Sequence, residues 1–498
     1  MAERHGLVID GEVVAGEGGR YPVTNPVRPG EVVFEAPSAS ADQLQRAVAA
    51  ARRAFSAWAS IDRDERAAVV EQAAKAGEAA VGAEGLDRLL TREHGKVLWE
   101  AMFDAGTLGA MAGGFAAVVA EALAPRVQGG GARRTEVHHV PHGVVGAILP
   151  FNWPVAVMGN KVIPALLAGN TVVVKAPPTC PGAVLATAAA MAGVLPPGVL
   201  NVLNGPEASL GRDLVAHRDV DMVSFTGGVA TGAAVMAAAA ERTKPVVLEL
   251  GGNDTAILAP DVTIDEDLAG RLADAAFVTS GQVCMAIKRL YVHEDRFDAL
   301  VDALVDRLSS TVVGDGLADG VTMGPVHLAS AQRRVEEMVE EAEARGARVH
   351  RLGTVRPEDA DAGGYLVRPA LVEAPPPDTR IVREEQFAPA LPVLPYRSLD
   401  EAVAAANDTD FGLCASIWSH DESLTADVAA RLEAGTVFVN THGMAAMDPA
   451  APMGGWKRSG VGLELGPEGM RAFCRPRVVL AHPAPGAEVG VTDQEVAR

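Results

Sequence analysis

An α/β fold is predicted by three features of the 498-residue sequence. Short apolar runs at 144–149, 171–174, 199–203, 222–225 and 246–250 are separated by stretches of helical spacing. Runs apolar on both sides, with helices between them, are the pattern of a parallel sheet covered on two faces. A second alternation opens at Thr255-Ala256-Ile257-Leu258 and continues to about Val439. Outside both lie strand-like segments with no helix to cover them, at 122–141 and 477–481. The expected architecture is a Rossmann-like domain (1–121 and 142–251), a second α/β domain (252–455), and a β-hairpin arm with a C-terminal segment (122–141 and 456–498).

Taken in order, residues 6–35 alternate apolar and polar positions around Asp10-Gly11 and Gly18-Gly19, which predicts short antiparallel strands joined by tight turns. Ser40 and Gln43 form a capping-box pattern ahead of Leu44, Val48, Ala51, Phe55 and Trp58, one apolar stripe at helical spacing. Gly129-Gly130-Gly131 is read as the turn of the 122–141 hairpin. His138 and His139 fall on opposite faces of its second strand, which argues against a shared metal. Val335, Met338, Val339 and Ala342 mark the buried face of a helix that stops at Gly346, with the acidic run 336–343 as its solvated face. Unsupported strands must find a partner, so the hairpin and 477–481 are expected to be oligomerisation arms of a homodimer or homotetramer. The tail after Pro483 is expected to be loosely ordered.

Composition narrows the partners. A formal charge of -21 opposes nucleic acid or an acidic membrane as principal partner. No stretch is read as reaching the roughly 20 apolar residues that span a bilayer, and residues 1–6 lack the apolar run of a secretory signal. The four cysteines, Cys180, Cys284, Cys414 and Cys474, have neither disulfide-framework nor zinc spacing. A reducing cytoplasm and no metal are expected.

Several residues carry chemistry. Glu249 ends the apolar strand ahead of Gly251-Gly252, where a carboxylate is not placed for packing; Cys284 lies in the small-residue segment Ser280-Gly281-Gln282-Val283. An acid and a thiol are the base and nucleophile of two-step covalent chemistry on a carbonyl. The thiol needs nearby positive charge or oriented N–H groups, because near its ordinary pKa of about 8.5 it is little ionised at neutral pH. Phe225-Thr226-Gly227-Gly228 follows a strand and opens a helix, where backbone N–H groups can face a diphosphate; Gly205 and Gly211 precede a similar helix. Asn152, between a strand and a helix, can donate its amide N–H to a developing oxyanion. Each also has an ordinary structural reading: an inert thiol, a strand terminus, a glycine turn, an Asx turn, and for Lys175 a solvated charge.

Together and in this order, these motifs resemble the aldehyde dehydrogenase superfamily from about residue 6 to residue 482. The resemblance rests on Pro-Phe-Asn-Trp-Pro at 150–154, Lys175, Phe-Thr-Gly-Gly at 225–228, Leu-Glu-Leu-Gly-Gly at 248–252, Gly-Gln-Val-Cys at 281–284, Glu384-Glu385-Gln386-Phe387 and Met-Gly-Gly-Trp-Lys at 453–457. It implies that the second α/β domain is catalytic, that Cys284 attacks an aldehyde, and that Asn152 and the Cys284 N–H hold the oxyanion. Hydride passes to NAD or NADP, and Glu249 activates the water that hydrolyses the thioester. It places Lys175 at the adenosine ribose, Gly227 and Gly228 by the diphosphate with Phe225 beside it, and Ile148 and Pro150 along the groove; Gly211 is a further expected cofactor contact. Leu250 falls near the carboxamide, and Glu385 and Phe387 around the nicotinamide ribose.

The departures are as informative. Pro178 stands where many NAD-preferring relatives carry a glutamate, so a 2′-phosphate is not repelled. Gly228 replaces a common serine, Asn253 a frequent lysine and Ala388 a usual glycine. Trp153, Val157, Asn160, Val283, Met285 and Met453 are expected to line a mostly apolar substrate tunnel with one polar handle; no arginine among them serves a distal carboxylate. The alternatives are acyl transfer to coenzyme A, which Glu249 disfavours, a silent dinucleotide-binding protein, which Cys284 disfavours, and a cysteine hydrolase, for which His293 has no supporting motif.

Overall fold

Asp10 and Gly11 both have positive φ, 56° and 83°, so a two-residue turn closes the antiparallel hairpin of Leu7–Ile9 and Glu12–Val14. In the computed structural model, which describes residues 5–129 and 134–482, this hairpin joins a larger sheet through Val8 opposite Val202. The turn expected at 129–131, apart from Gly129, and the tail after Pro483 lie outside the described residues.

That sheet has eight strands in the order Glu12–Val14, Leu7–Ile9, Leu200–Leu203, Thr171–Lys175, Val144–Ile148, Met222–Thr226, Val246–Glu249 and Gly460–Val461. The middle five are parallel and are those expected from the sequence, with ends shifted by one residue. The edge pairs are antiparallel. Neither edge was assigned to this sheet from sequence: Gly460–Val461 is only two residues long, too short to show periodicity. Helix Ala41–Ser60 packs on the sheet and is capped as expected, with Gln43 N–H to Ser40 Oγ and Ser40 N–H to Gln43 Oε1, both 3.1 Å. Leu44, Val48, Ala51 and Trp58 form its buried face, while Phe55 is half-buried.

The second sheet has the order Arg348–Arg351, Ala370–Glu373, Ala390–Tyr396, Arg289–His293, Thr255–Leu258, Cys414–Trp418 and Thr436–Val439. All its pairs are parallel except the first. Helix Ala329–Ala344 covers it with the expected face, and Gly346 follows at φ 96°.

The two unsupported segments find each other. Arg126–Gln128, Arg134–Pro141 and Cys474–Ala481 form one antiparallel three-stranded sheet, with Val478, Val479 and Leu480 exposed. The hairpin starts at Arg126 rather than 122 because helix Leu108–Ala122 runs through that residue.

One expectation needs correction. Leu98–Ala122 is long and apolar enough, by length and composition, to cross a membrane. In sequence it is interrupted by Glu100, Asp104 and Glu121, which leaves an uncharged run shorter than a span. Here it is broken at Gly106 and Thr107 into two helices, and the second buries Leu108, Ala112, Phe115, Val119 and Ala122 against Arg63–Glu84, Pro154–Leu167 and Gly466–Ala472.

Candidate active site

Cys284 follows a turn that an ordinary chain would avoid. Thr279, Ser280 and Gly281 are consecutive left-handed residues, φ 54°, 56° and 71°. Two non-glycine residues in that region cost of order 1 kcal/mol each, so the surroundings must hold them. Thr279 N–H donates to Glu100 Oε1 at 2.6 Å and Ser280 Oγ to Gly324 O at 2.8 Å. Gln282 Nε2 donates to Thr279 O at 3.0 Å while its Oε1 accepts His327 N–H at 2.8 Å. Glycine is required at 281, where a Cβ would lie 2.5 Å from Ala388 O, and at 252, where it would lie 2.6 Å from Cys284 O.

Asn152, just past strand Val144–Ile148, reaches this turn: its Nδ2 donates to Gln282 O at 3.0 Å across 130 residues. The amide carries a second hydrogen, and Asn152 is itself buried. Glu249 ends strand Val246–Glu249 and is 4% exposed, with no hydrogen-bond partner for either carboxylate oxygen. Burial pushes its carboxyl well above the usual range, neighbouring Glu464 pushes the same way, and Lys161 opposes. The partly exposed Cys284 thiol is pushed up to about 12, by burial first and then by Glu249, Glu385 and Asp254; Lys288 opposes. Burial and these carboxylates thus favour the protonated thiol, and further positive charge beside it would favour the thiolate.

Ile148, Pro150, Lys175, Phe225, Gly227, Gly228 and Leu250 lie at or just beyond the carboxyl ends of first-sheet strands, where such sheets bind ligands, whereas Gly211 lies within helix Ala208–Ala216 and Glu385 and Phe387 precede the second-sheet strand Ala390–Tyr396. Helix Val229–Ala240 opens at Gly228 with no side-chain cap, and nothing lies within 4 Å of where a Gly228 Cβ would stand, so its first N–H groups face open space. A Cβ at Gly227 would meet the Phe225 ring at 2.6 Å, and one at Gly211 would lie 3.9 Å from Ile148 Cδ1. Leu250 packs over Gly232, and Pro150 is half-buried beside the Asn152 turn. Lys175 ends its strand with burial lowering its pKa to about 8, and Pro178 spends its carbonyl on Tyr21 OH at 2.7 Å. Glu385 Oε1 accepts Gly252 N–H at 3.0 Å, and Phe387 stands edge-on to Phe151 at 5.9 Å. An uncapped helix end and an exposed glycine approach suit a diphosphate; the residues fit a dinucleotide.

A cavity of about 480 Å3 is lined by Val283 and Met285, the chain neighbours of Cys284, but not by Cys284, Asn152 or Glu249 themselves. Trp153, Val283 and Met285 line it as expected, whereas Val157, Asn160 and Met453 are not among its lining residues. Arginines do reach it: Arg271 and Arg307 come from helices Glu266–Phe277 and Phe297–Ser309, which the sequence reading had not placed near the site. Both are engaged, Arg307 with Asp274 at 3.0 Å, and Arg271 with the Asn440 carbonyl and over the Trp418 ring at 4.9 Å.

Four buried charged residues at the site were missed. Lys161 pairs with Glu464 at 2.6 Å beside Glu249, Glu100 holds the cysteine turn, and Lys288 lies beneath it. Lys161 was detectable as the one charge in the otherwise apolar helix Pro154–Leu167, and Lys288 as a charge against the apolar run 290–292.

Residues 13–479 match the aldehyde dehydrogenase family, and the chain belongs to that family; it is an NAD(P)-dependent oxidoreductase of aldehydes. It is 38% identical over 475 residues to a 3,6-anhydro-alpha-L-galactose dehydrogenase of Streptomyces coelicolor, covering 94% of each chain. It is 36% identical to a geranial dehydrogenase of Castellaniella defragrans, covering 90% of this chain and 93% of the other. Among solved structures, a mutant aldehyde dehydrogenase C of Pseudomonas syringae in complex with NAD+ and octanal superposes with a TM-score of 0.89 at 32% identity, covering 96% of this chain and 97% of that one.

The close approach of Gly252 gives a direct test. Gly252→Ala leaves the circular-dichroism spectrum unchanged and, if Cys284 is the nucleophile, lowers kcat by about a hundredfold, the cost of displacing it by about an ångström.

Proposed function

We propose that Cys284 is the nucleophile, Asn152 and the Cys284 N–H the oxyanion donors, and Glu249 the base of a hydrolytic aldehyde oxidation. The observation that carries this reading is the Asn152 to Gln282 O bond, which holds an amide two residues from the thiol. With its proton released to water, Cys284 Sγ adds as the thiolate to the aldehyde carbon, and the new oxyanion is stabilised by the two N–H donors. Bound NAD(P)+ supplies a hydride acceptor and a positive charge, held by Ile148, Pro150, Lys175, Gly211, Phe225, Gly227, Gly228, Leu250, Glu385 and Phe387. Loss of hydride from the tetrahedral carbon leaves a thioester on Cys284. Glu249 then takes a proton from water, hydroxide adds to the thioester carbon, and the acid leaves with the thiolate restored. Because burial and Glu464 raise the Glu249 pKa, the base is ionised only as pH rises through that raised value. Cys284→Ala abolishes NAD(P)H formation. Glu249→Gln leaves a burst of one hydride per subunit in stopped-flow absorbance, and the wild-type rise of hydrolysis with pH disappears; hydrolysis of unchanged rate in that variant, or turnover that needs coenzyme A, contradicts the assignment.

The substrate is a neutral, apolar aldehyde of some bulk. Trp99, Phe103, Trp153, Phe277, Val283 and Met285 give the cavity its apolar wall. The Trp153 face already carries the Lys96 ammonium at 3.9 Å, itself paired with Asp104 at 2.8 Å, so it repels a quaternary ammonium. A carboxylate would have to displace the existing partners of Arg271 and Arg307. With no carboxylate at 178, both cofactors are accepted. In a panel run with NAD and with NADP, each buried methylene raises kcat/KM about fourfold, from about 0.8 kcal/mol, and both cofactors support turnover. Preference for a semialdehyde acid or a trimethylammonium aldehyde contradicts this.

The exposed Val478, Val479 and Leu480 make the arm sheet the contact with further copies, as a homodimer or homotetramer. The four free cysteines suit a reducing cytoplasm. Light scattering gives a mass at least twice 51.5 kDa, and Val478→Lys with Leu480→Glu lowers it; an unchanged assembly contradicts the arm's role.

A further inference from the structure

Lys288 is 2% exposed, yet among the described residues no carboxylate lies within ion-pairing distance of it. Its Nζ instead donates to Gly281 O and Val283 O, both at 2.8 Å, and stands 5.6 Å from the Phe387 ring. A buried ammonium satisfied by carbonyls alone is costly, and folding retains it here immediately beneath the nucleophile.

Peptide planarity gives this contact a consequence. In a trans peptide the C=O and the following N–H point in opposite directions. Drawing Val283 O onto Lys288 therefore turns the Cys284 N–H away from it. Among the described residues that N–H makes no backbone hydrogen bond, whereas Gln282 N–H, the donor after Gly281, closes a turn on Thr279 O at 3.1 Å. The carbonyl between the two clamped ones, Gln282 O, is taken by Asn152. Three successive carbonyls are thus fixed by two side chains.

We propose that Lys288 is the positioning residue of the nucleophile: its clamp on Gly281 O and Val283 O aims the Cys284 N–H at the oxyanion, and its charge favours the thiolate. The inference rests on Cys284 being the nucleophile. The charged groups acting on the thiol are Glu249, Glu385 and Asp254 against Lys288. Asp254 in turn faces Arg289 and His442, and Glu385 faces Arg334. Burial lowers the Lys288 pKa while Glu385 and Asp254 support its charge.

The test uses the full chain and two readouts. Iodoacetamide alkylation of Cys284 at fixed pH, followed by peptide mass spectrometry, needs no aldehyde. In Lys288→Met it slows about tenfold, the effect of about one pKa unit on the thiolate fraction, and kcat falls at least tenfold while the KM for NAD(P) holds. Lys288→Gln, which keeps donors but not charge, slows alkylation similarly and retains more of kcat. Lys288→Arg restores alkylation. Alkylation at the wild-type rate in Lys288→Met, or in Lys288→Gln if the methionine variant does not fold, overturns the proposal. Wild-type protein that still oxidises aldehydes after complete alkylation of Cys284 refutes instead the assignment of the nucleophile on which it rests.

Discussion

The hydrogen bond from Asn152 to the Gln282 carbonyl is the constraint on which the site depends, because it joins the end of a first-sheet strand to the turn that leads into the second sheet. Neither segment is productive alone. The asparagine follows a strand whose five residues are all buried, which fixes its position. The cysteine turn is held in a left-handed path by Glu100, Gly324 and His327, from three further segments. Strain in the turn is thereby met by buried hydrogen bonds.

The electrostatics follow from the same convergence. Glu249, Glu385 and Asp254 all raise the thiol pKa, and burial adds to them. Such a site resists spontaneous ionisation and oxidation of its cysteine, since reactivity belongs to the thiolate. Positive charge must therefore be local and conditional. On the proposed reading, Lys288 supplies a fixed part beneath the turn and bound NAD(P)+ the rest. Glu249 shows the converse arrangement, with both oxygens unpartnered and Lys161 already paired to Glu464. A buried carboxyl with raised pKa and no hydrogen-bond partner among the described residues is suited to exchange a proton with water.

The sequence was most readable where burial is two-sided. Strands at 144, 171, 200, 222 and 246 emerge because both faces are apolar, and the Ser40 cap because its partners are three residues apart. Cys284, Glu249 and Asn152 were legible as local motifs. Lys161 stands out as the one charge of its helix, but its pairing was not legible, because its partner Glu464 is 303 residues away. The cavity was half legible: Val283 and Met285 flank the cysteine, whereas Arg271 and Arg307 enter from helices whose placement is a tertiary fact. Val157 and Asn160 sit on the same helix as Lys161, but sequence proximity to Trp153 did not bring them into the cavity wall.

The most direct test of the shared reacting carbon is intact and peptide mass spectrometry of Glu249→Gln protein mixed with NAD+ and octanal, then quenched in acid. One octanoyl group per subunit, carried by the peptide containing Cys284, is the expected result. An acyl group on Cys180, Cys414 or Cys474, or none on any cysteine while NADH has formed, would contradict it.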